Sequence, residues 1–213
     1  VEENANTKEK AYLDELLAII DKDIATTEPN RYFGGSTLIQ FTNYLLRNAE
    51  ERNKPDLERK SGYQDRDQEG IQNQIKYLNN AFNTRVDKEL FLANTKKYQT
   101  FDPSLRRPIY SQALNLDIDE NAMISKIDEI YSTNYSTTEK MLELYEMNFE
   151  EMMNLEDPLI DFLKVVYEEN LSYEEKGEKS AARKQLLKSK FIKLLRNYYD
   201  SIDKQIYADA NST

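Results

Sequence analysis

Apolar residues near the start of the chain recur three and four positions apart: Leu13, Leu16, Leu17, Ile20 and Ile24 fall on one helical face. Ahead of them, Asn6-Thr7-Lys8-Glu9 has the spacing of a capping box, so the pattern predicts a helix over 7–24, ended by the connector T-T-E-P-N-R-Y-F-G-G. Ser36 is placed to cap a second helix running to about Asn53, with Leu38, Phe41, Tyr44, Leu45 and Ala49 inward. After a polar interruption, helical spacing resumes near Asp67 or Gln68 with Ile71, Ile75, Leu78 and Phe82. A further segment from about Val86 carries Leu90, Phe91 and Tyr98.

Phe101 to Pro108, F-D-P-S-L-R-R-P, is the strongest internal break and a candidate boundary between two helical subdomains. Beyond it, a short helix is predicted over Ile109 to Leu116, and a longer one over Asp119 to Ser132 with Met123, Ile127 and Ile130 inward. Ser136-Thr137-Thr138-Glu139 reads as a capping box opening a helix with Met141, Leu142, Tyr145, Phe149 and Met152. Asp157-Pro158 pairs an N-cap with proline at the first helical position, ahead of Leu159, Phe162, Leu163, Val166, Tyr167 and Leu171. A last stripe holds Leu187, Phe191, Leu194, Leu195, Tyr198, Ile202 and Ile206. The reading is an all-α fold, an irregular bundle of seven to nine helices.

Charge divides the last two predicted helices. Residues 139–174 carry eleven acidic and two basic side chains, and 176–204 carry nine basic and three acidic. Two antiparallel neighbours joined by a turn near Gly177 would account for this asymmetry, and so would two separately solvated faces.

Composition narrows the chemistry. The chain has 213 residues, enough for one domain or two small ones, a net charge of -10, and 32% charged against 39% hydrophobic residues. So acidic a chain lacks the basic surface that nucleic acid requires. It contains no stretch approaching the roughly 18 uncharged apolar residues of a membrane span, and no signal-peptide pattern. Cysteine is absent, which removes disulfides and thiolate metal sites. Histidine is absent too, so a Ser-His-Asp or Cys-His mechanism has no imidazole here and a histidine-built zinc site has no ligands.

The remaining candidates are weak. Glu146, Glu150 and Glu151, and the run Asp117-Ile118-Asp119-Glu120, are acidic clusters without the D-x-D-x-D-G spacing of a calcium loop, and solvated helix faces or caps explain them. Fifteen tyrosines suit either core packing or an aromatic groove for peptide. Met147, Met152 and Met153 read as core filling rather than a binding patch. Arg106-Arg107 either holds a carboxylate or neighbouring domain or is solvated. No Gly-rich phosphate loop or nucleophile elbow is present. The residues alone assign no catalytic, cofactor-binding or metal-binding side chain.

One stretch is distinctive. Lys54 to Gly70, K-P-D-L-E-R-K-S-G-Y-Q-D-R-D-Q-E-G, holds nine formal charges, a proline, two glycines and a tyrosine. Pro55 and Gly62 constrain a connector in which Asp65 or Asp67 caps the following helix, while Glu58, Arg59 and Arg66 are placed to tie it to its neighbours. K-P-D-L-E-R with G-Y-Q-D-R-D resembles the (R/K)-P-D-x-E-R-x-x-G-Y-Q-x-R-D motif of bacterial serine dipeptidyl-peptidases of types VII and XI, serine peptidase family 46. Val86-Asp87-Lys88-Glu89-Leu90 is similar to that family's V-D-K-x-L segment. Asp157-Pro158-Leu159 and Tyr207-Ala208-Asp209-Ala210-Asn211-Ser212-Thr213 follow in the family's order. Asp65 departs from the glutamate common at its position, keeping the charge and shortening the reach.

The resemblance, clearest over 40–213, implies that residues 1–213 are a helical cap domain inserted in a chymotrypsin-like double β-barrel that lies outside this chain. The family's triad histidine and aspartate precede the insert and its serine follows, so none maps here. It also implies an exported parent, periplasmic or at the cell surface, that removes N-terminal dipeptides from peptides. The partners implied are peptide substrates and the parent's own protease domain, with homodimerisation left open. Two other readings of the residues remain: a free-standing acidic helical interaction module, and a carboxylate-based hydrolase.

Overall fold

The computed structural model describes residues 7–201, apart from the side chains of residues 7, 8, 79–81 and 201. Its described residues form nine α-helices joined by turns and short 3-10 segments, with no strand. They are α1 Thr7–Tyr32, α2 Thr37–Arg52, α3 Gln68–Ala81, α4 Thr84–Gln99, α5 Pro108–Ala113, α6 Glu120–Ile130, α7 Thr138–Glu146, α8 Phe149–Met153 and α9 Pro158–Ser201. The capping box at Asn6 and the apolar positions Ile202 and Ile206 lie outside the described residues, as does the segment Tyr207 to Thr213.

Local chemistry explains most boundaries. Ser36 accepts the Ile39 amide at the start of α2, Asn83 the Val86 amide at α4, and Asp119 the Ala122 amide at α6. Each satisfies an amide that the first helical turn leaves without a partner. Pro108 and Pro158 occupy first helical positions, where the missing N–H costs nothing.

Four expectations are corrected. α1 does not stop at the T-T-E-P connector but continues through Pro29 to Tyr32; the Phe33 amide still donates to the Pro29 carbonyl, so the proline removes a bond without ending the helix. The box at Ser136 is displaced by one residue: Thr137 is the cap, accepting the Lys140 amide. The helix expected from there to Met152 breaks at Met147, whose backbone is extended. A reciprocal capping box between Asn148 and Glu151 then opens α8. Finally, there is no turn at Gly177, which lies inside the single helix α9. Glycine ends a helix by adopting a left-handed conformation, and Gly177 is not among the positive-φ residues. The antiparallel pair of the two charged segments is therefore not formed.

The chain divides into two compact units: residues 28–171, and residues 1–27 together with 172–213. The candidate boundary at 101–108 lies inside the larger unit, where Pro103–Leu105 is a 3-10 turn capped by Asp102.

In the larger unit α2 is the central element, packing against α4, α7 and α8. Its buried residues Leu38, Ile39, Thr42, Leu45, Leu46, Asn48, Ala49 and Glu51 surround more than one face, as expected of a helix enclosed by others. Phe91, Tyr98, Leu114, Met123, Ile127, Ile130, Leu144, Met152 and Phe162 complete one continuous core. Of the apolar residues noted on α4, Phe91 and Tyr98 are buried and Leu90 is exposed.

In the smaller unit the early part of α1 meets the later part of α9. Among its described residues, Leu16 and Leu187 are the buried apolar ones. Arg183 bridges both oxygens of Glu15 at 2.6 and 2.5 Å, Lys184 pairs with Asp23, and the Lys190 ammonium lies 3.7 Å from the centre of the Tyr12 ring. The basic segment of α9 thus finds its acidic complement on α1.

Candidate functional site

The distinctive stretch after α2 forms a closed clamp. Pro55 precedes a 3-10 turn at Asp56–Glu58, and Gln64 begins a second at Asp65–Asp67. Arg59 ties the two together: its Nη1 meets Asp65 at 2.6 Å and its Nε donates to the Lys54 carbonyl at 3.0 Å. The Asp65 amide donates back to Asp56 at 2.7 Å. Asp67 does not cap α3 in the expected way. Its carboxylate reaches backwards instead, accepting the Gly62 and Gln64 amides at 3.0 and 3.1 Å. Gly62 has φ +94, a left-handed conformation that favours glycine. Arg66, though exposed, lies 3.9 Å from Asp67, whereas Glu58, also expected to tie the loop, is exposed.

The clamp is anchored to the helices on either side. Tyr44 of α2 donates to the Gly62 carbonyl and its ring lies 5.2 Å from that of Tyr63. Gln68 Nε2 donates to Asn48 and to the Tyr63 carbonyl, and its Oε1 accepts the Tyr145 hydroxyl of α7 at 3.2 Å. Below it, Glu51 is fully buried. Burial works to raise its pKa, but the Lys54 ammonium at 2.7 Å, the Lys60 amide at 3.0 Å and the Arg47 guanidinium at 3.0 Å outweigh it, leaving the carboxyl below its ordinary value.

A second constellation surrounds Asp87. Its carboxylate accepts the Ser36 hydroxyl at 2.8 Å, the Thr37 and Leu38 amides at 2.7 and 3.3 Å, and the Tyr131 hydroxyl at 2.6 Å. A hydroxyl beside a carboxylate has the spacing of a nucleophile and its base. Here, however, Ser36 is fully buried and its oxygen caps α2, so the arrangement seals a helix end in the core. Burial first, then the Asp87 hydrogen bond, pushes the Tyr131 hydroxyl far above its ordinary pKa and keeps it a donor.

The same device recurs twice. Buried Asp157 accepts the Thr133 hydroxyl and the Asn134, Leu159 and Ile160 amides. Buried Glu169 accepts the Ile109 and Tyr110 amides, each at 2.9 Å, at the start of α5. Carboxylates paired with first-turn amides are stabilised by charge-assisted bonds and by the helix dipole.

The weaker candidates resolve structurally. Glu146, Glu150 and Glu151 are exposed, and among the described residues no three Asp or Glu side chains converge as metal ligands. Asp117 pairs with Arg106 at 2.7 Å, Asp119 caps α6, and Glu120 meets Lys96. Arg106 is buried and the Arg107 guanidinium lies 3.9 Å from the centre of the Phe33 ring, so neither is a solvated loop arginine. Met152 is core, with Met147 and Met153 packed against it. Of the tyrosines, Tyr98, Tyr110, Tyr131, Tyr145 and Tyr167 are buried. Sequence reasoning missed Asp87 and Glu169 as structural carboxylates. Asp87 lies in the V-D-K segment, whereas nothing local marks Glu169.

The profile of the Peptidase S46 family matches residues 1–213. An Asp/Glu-specific dipeptidyl-peptidase of Shewanella putrefaciens (strain CN-32 / ATCC BAA-453) is similar, at 28% identity over 204 residues, covering 93% of this chain. The chain spans 28% of that relative's length. With the whole of its length matched, this chain belongs to the peptidase S46 family.

Proposed function

We propose that residues 1–213 are the helical cap of a serine-type dipeptidyl-peptidase of family S46, covering the cleft of a protease domain that lies in other parts of the parent. In this reading the cap admits peptides, holds them during removal of N-terminal dipeptides, and supplies no catalytic triad residue. The observation that carries it is the pairing of a family match over all 213 residues with a histidine count of zero. A serine peptidase of the triad kind needs an imidazole to take the nucleophile's proton. The buried, mutually satisfied carboxylates fit a rigid part whose contribution is shape and closure, excluding water and restricting which peptides reach the reacting atoms. The parent's periplasmic or cell-surface location belongs to the same proposal.

The purified chain, assayed with dipeptidyl fluorogenic substrates bearing a free amino group and Asp or Glu next to the scissile bond, is expected to release no dye. Turnover by clean protein that disappears on mutating a residue of this chain would overturn the assignment. In the parent enzyme, deletion of the segment is expected to reduce kcat/KM for dipeptide release while leaving the triad in place.

A further inference from the structure

Where α7 gives way to α8, and where α8 ends, five residues line an open notch: Glu146, Met147, Glu151, Asn154 and Leu155. Met147 and Leu155 are half-buried against the core and make an apolar floor. Glu146, Glu151 and Asn154 are exposed and make a polar rim.

Neither rim carboxylate is paired with a cation. Glu146 has no ion pair and no side-chain hydrogen bond among the described residues, and Glu151 accepts only the Asn148 amide, at 2.8 Å. Glu150 and Glu156, next to the lining residues and exposed, are unpaired as well. The nearby cations are engaged. Lys140 holds Glu143 and Lys164 holds Asp161. Arg52 donates to the Tyr145 and Met147 carbonyls at 2.6 Å each, with its guanidinium 5.2 Å from the centre of the Tyr145 ring. Four unpaired carboxylates thus stand against the one guanidinium of Arg52. An apolar floor below an anionic rim is complementary to a side chain with an apolar stem and a cationic head.

We propose that the notch receives an arginine side chain presented by a basic segment of a partner protein. The stem lies on Met147 and Leu155, and the guanidinium reaches Glu146 and Glu151. Arginine fits better than lysine, because its planar fork of donors can serve two carboxylates on separate residues at once. A metal ion fits poorly, since no three Asp or Glu side chains converge among the described residues. Charge also selects the source. A second copy carries the same net charge of -10 and is repelled, and the chain's own basic tract has Arg183, Lys184 and Lys190 engaged on α1, whereas a basic partner is drawn in by the field of the whole chain. The inference does not rest on the cap assignment, since binding is read on this chain alone.

The test adds an end-capped hexapeptide, SLRLRS, to the 213-residue chain carrying isotope-labelled methionine methyl groups, and follows their NMR signals. The Met147 methyl is expected to shift saturably with a Kd of about 1 mM or tighter, while that of fully buried Met123 stays in place. SLQLQS, which keeps the apolar residues and loses the charge, is expected to bind about tenfold more weakly. A homologue of SLRLRS with shortened guanidinium stems is expected to bind about threefold more weakly. Glu146→Gln and Glu151→Gln are each expected to weaken binding about threefold. Glu146 has no partner to lose and glutamine at 151 keeps the oxygen that caps α8, so neither is expected to lower the melting temperature. Glu89→Gln, which removes an exposed carboxylate from α4, is expected to leave binding unchanged. The proposal is overturned by an unmoved Met147 signal, by equal affinity for SLRLRS and either analogue, or by a loss at Glu89→Gln equal to that at Glu146→Gln, which would reduce the attraction to net charge alone. Sedimentation showing that a second copy of the chain occupies the notch, with Glu146→Gln abolishing self-association, also overturns it.

Discussion

At the scale of the residue, the molecule depends on a few buried carboxylates that each satisfy several donors. Asp87 accepts from Ser36, Thr37, Leu38 and Tyr131, and removing it would leave the buried Leu38 amide without its acceptor and the buried Ser36 and Tyr131 hydroxyls, 2.7 Å apart, with only each other. Asp87→Ala is therefore expected to destabilise the fold by about 3 kcal/mol, with Tyr131→Phe costing about 1 kcal/mol, measured by urea denaturation. The glycines separate by conformation: Gly62→Ala, at φ +94, is expected to cost about 1 kcal/mol in the same experiment.

Glu51 gives a pH prediction. Its folded pKa lies below the ordinary 4.5, so the folded state holds its proton less tightly than the unfolded chain does. The resulting stabilisation is present above that ordinary value and is lost as pH falls through the lower, folded one. The gap in melting temperature between the parent chain and Glu51→Gln is expected to be constant from pH 7 to 6 and to shrink on acidification below about 4.5. A gap that widened toward low pH would contradict the assigned ion pairs with Lys54 and Arg47.

At the scale of the element, the long helix α9 is the sharpest claim. Were Gly177 the left-handed residue of a turn between two helices, alanine there would be resisted. Within a continuous helix alanine is favoured instead. Gly177→Ala is expected to stabilise by about 0.5–1 kcal/mol and Gly177→Pro to cost about 3 kcal/mol, with a loss of ellipticity at 222 nm. The division between α7 and α8 shows how an element boundary can be present in the sequence and still be overlooked. Met141, Leu142, Tyr145, Phe149 and Met152 keep helical spacing across the break, and that periodicity outweighed the N-F-E-E box starting at Asn148.

At the scale of the whole molecule, the two compact units differ in how much apolar surface each buries. The larger has one continuous core from Leu38 to Tyr167, whereas in the smaller only Leu16 and Leu187 are buried hydrophobics among the described residues. Local opening free energy follows buried contact density. Limited proteolysis is expected to cut within 9–27 and 172–200 before any site between 37 and 167, and faster in 0.5 M salt, which screens the half-buried, solvent-accessible Glu15–Arg183 and Asp23–Lys184 pairs. Initial cleavage inside 37–167 would contradict this ordering.

The sequence by itself determined the all-α class, most helix starts and the family. Those properties depend on near neighbours along the chain: a cap and the amide three residues on, an apolar face repeating every three or four positions, and the contiguous motif from Lys54 to Asp67. It also excluded imidazole chemistry, because a count of zero needs no structure. Only the tertiary structure decided that Asp87, Asp157 and Glu169 are buried staples, that Arg106 is buried, and that the basic part of α9 pairs with acidic side chains of α1. Each of those depends on groups far apart in sequence, such as Glu169 and the amides of Ile109 and Tyr110. The free energy that fixes them is the cost of leaving a buried donor or charge unmatched, and no local pattern records which distant partner will match it.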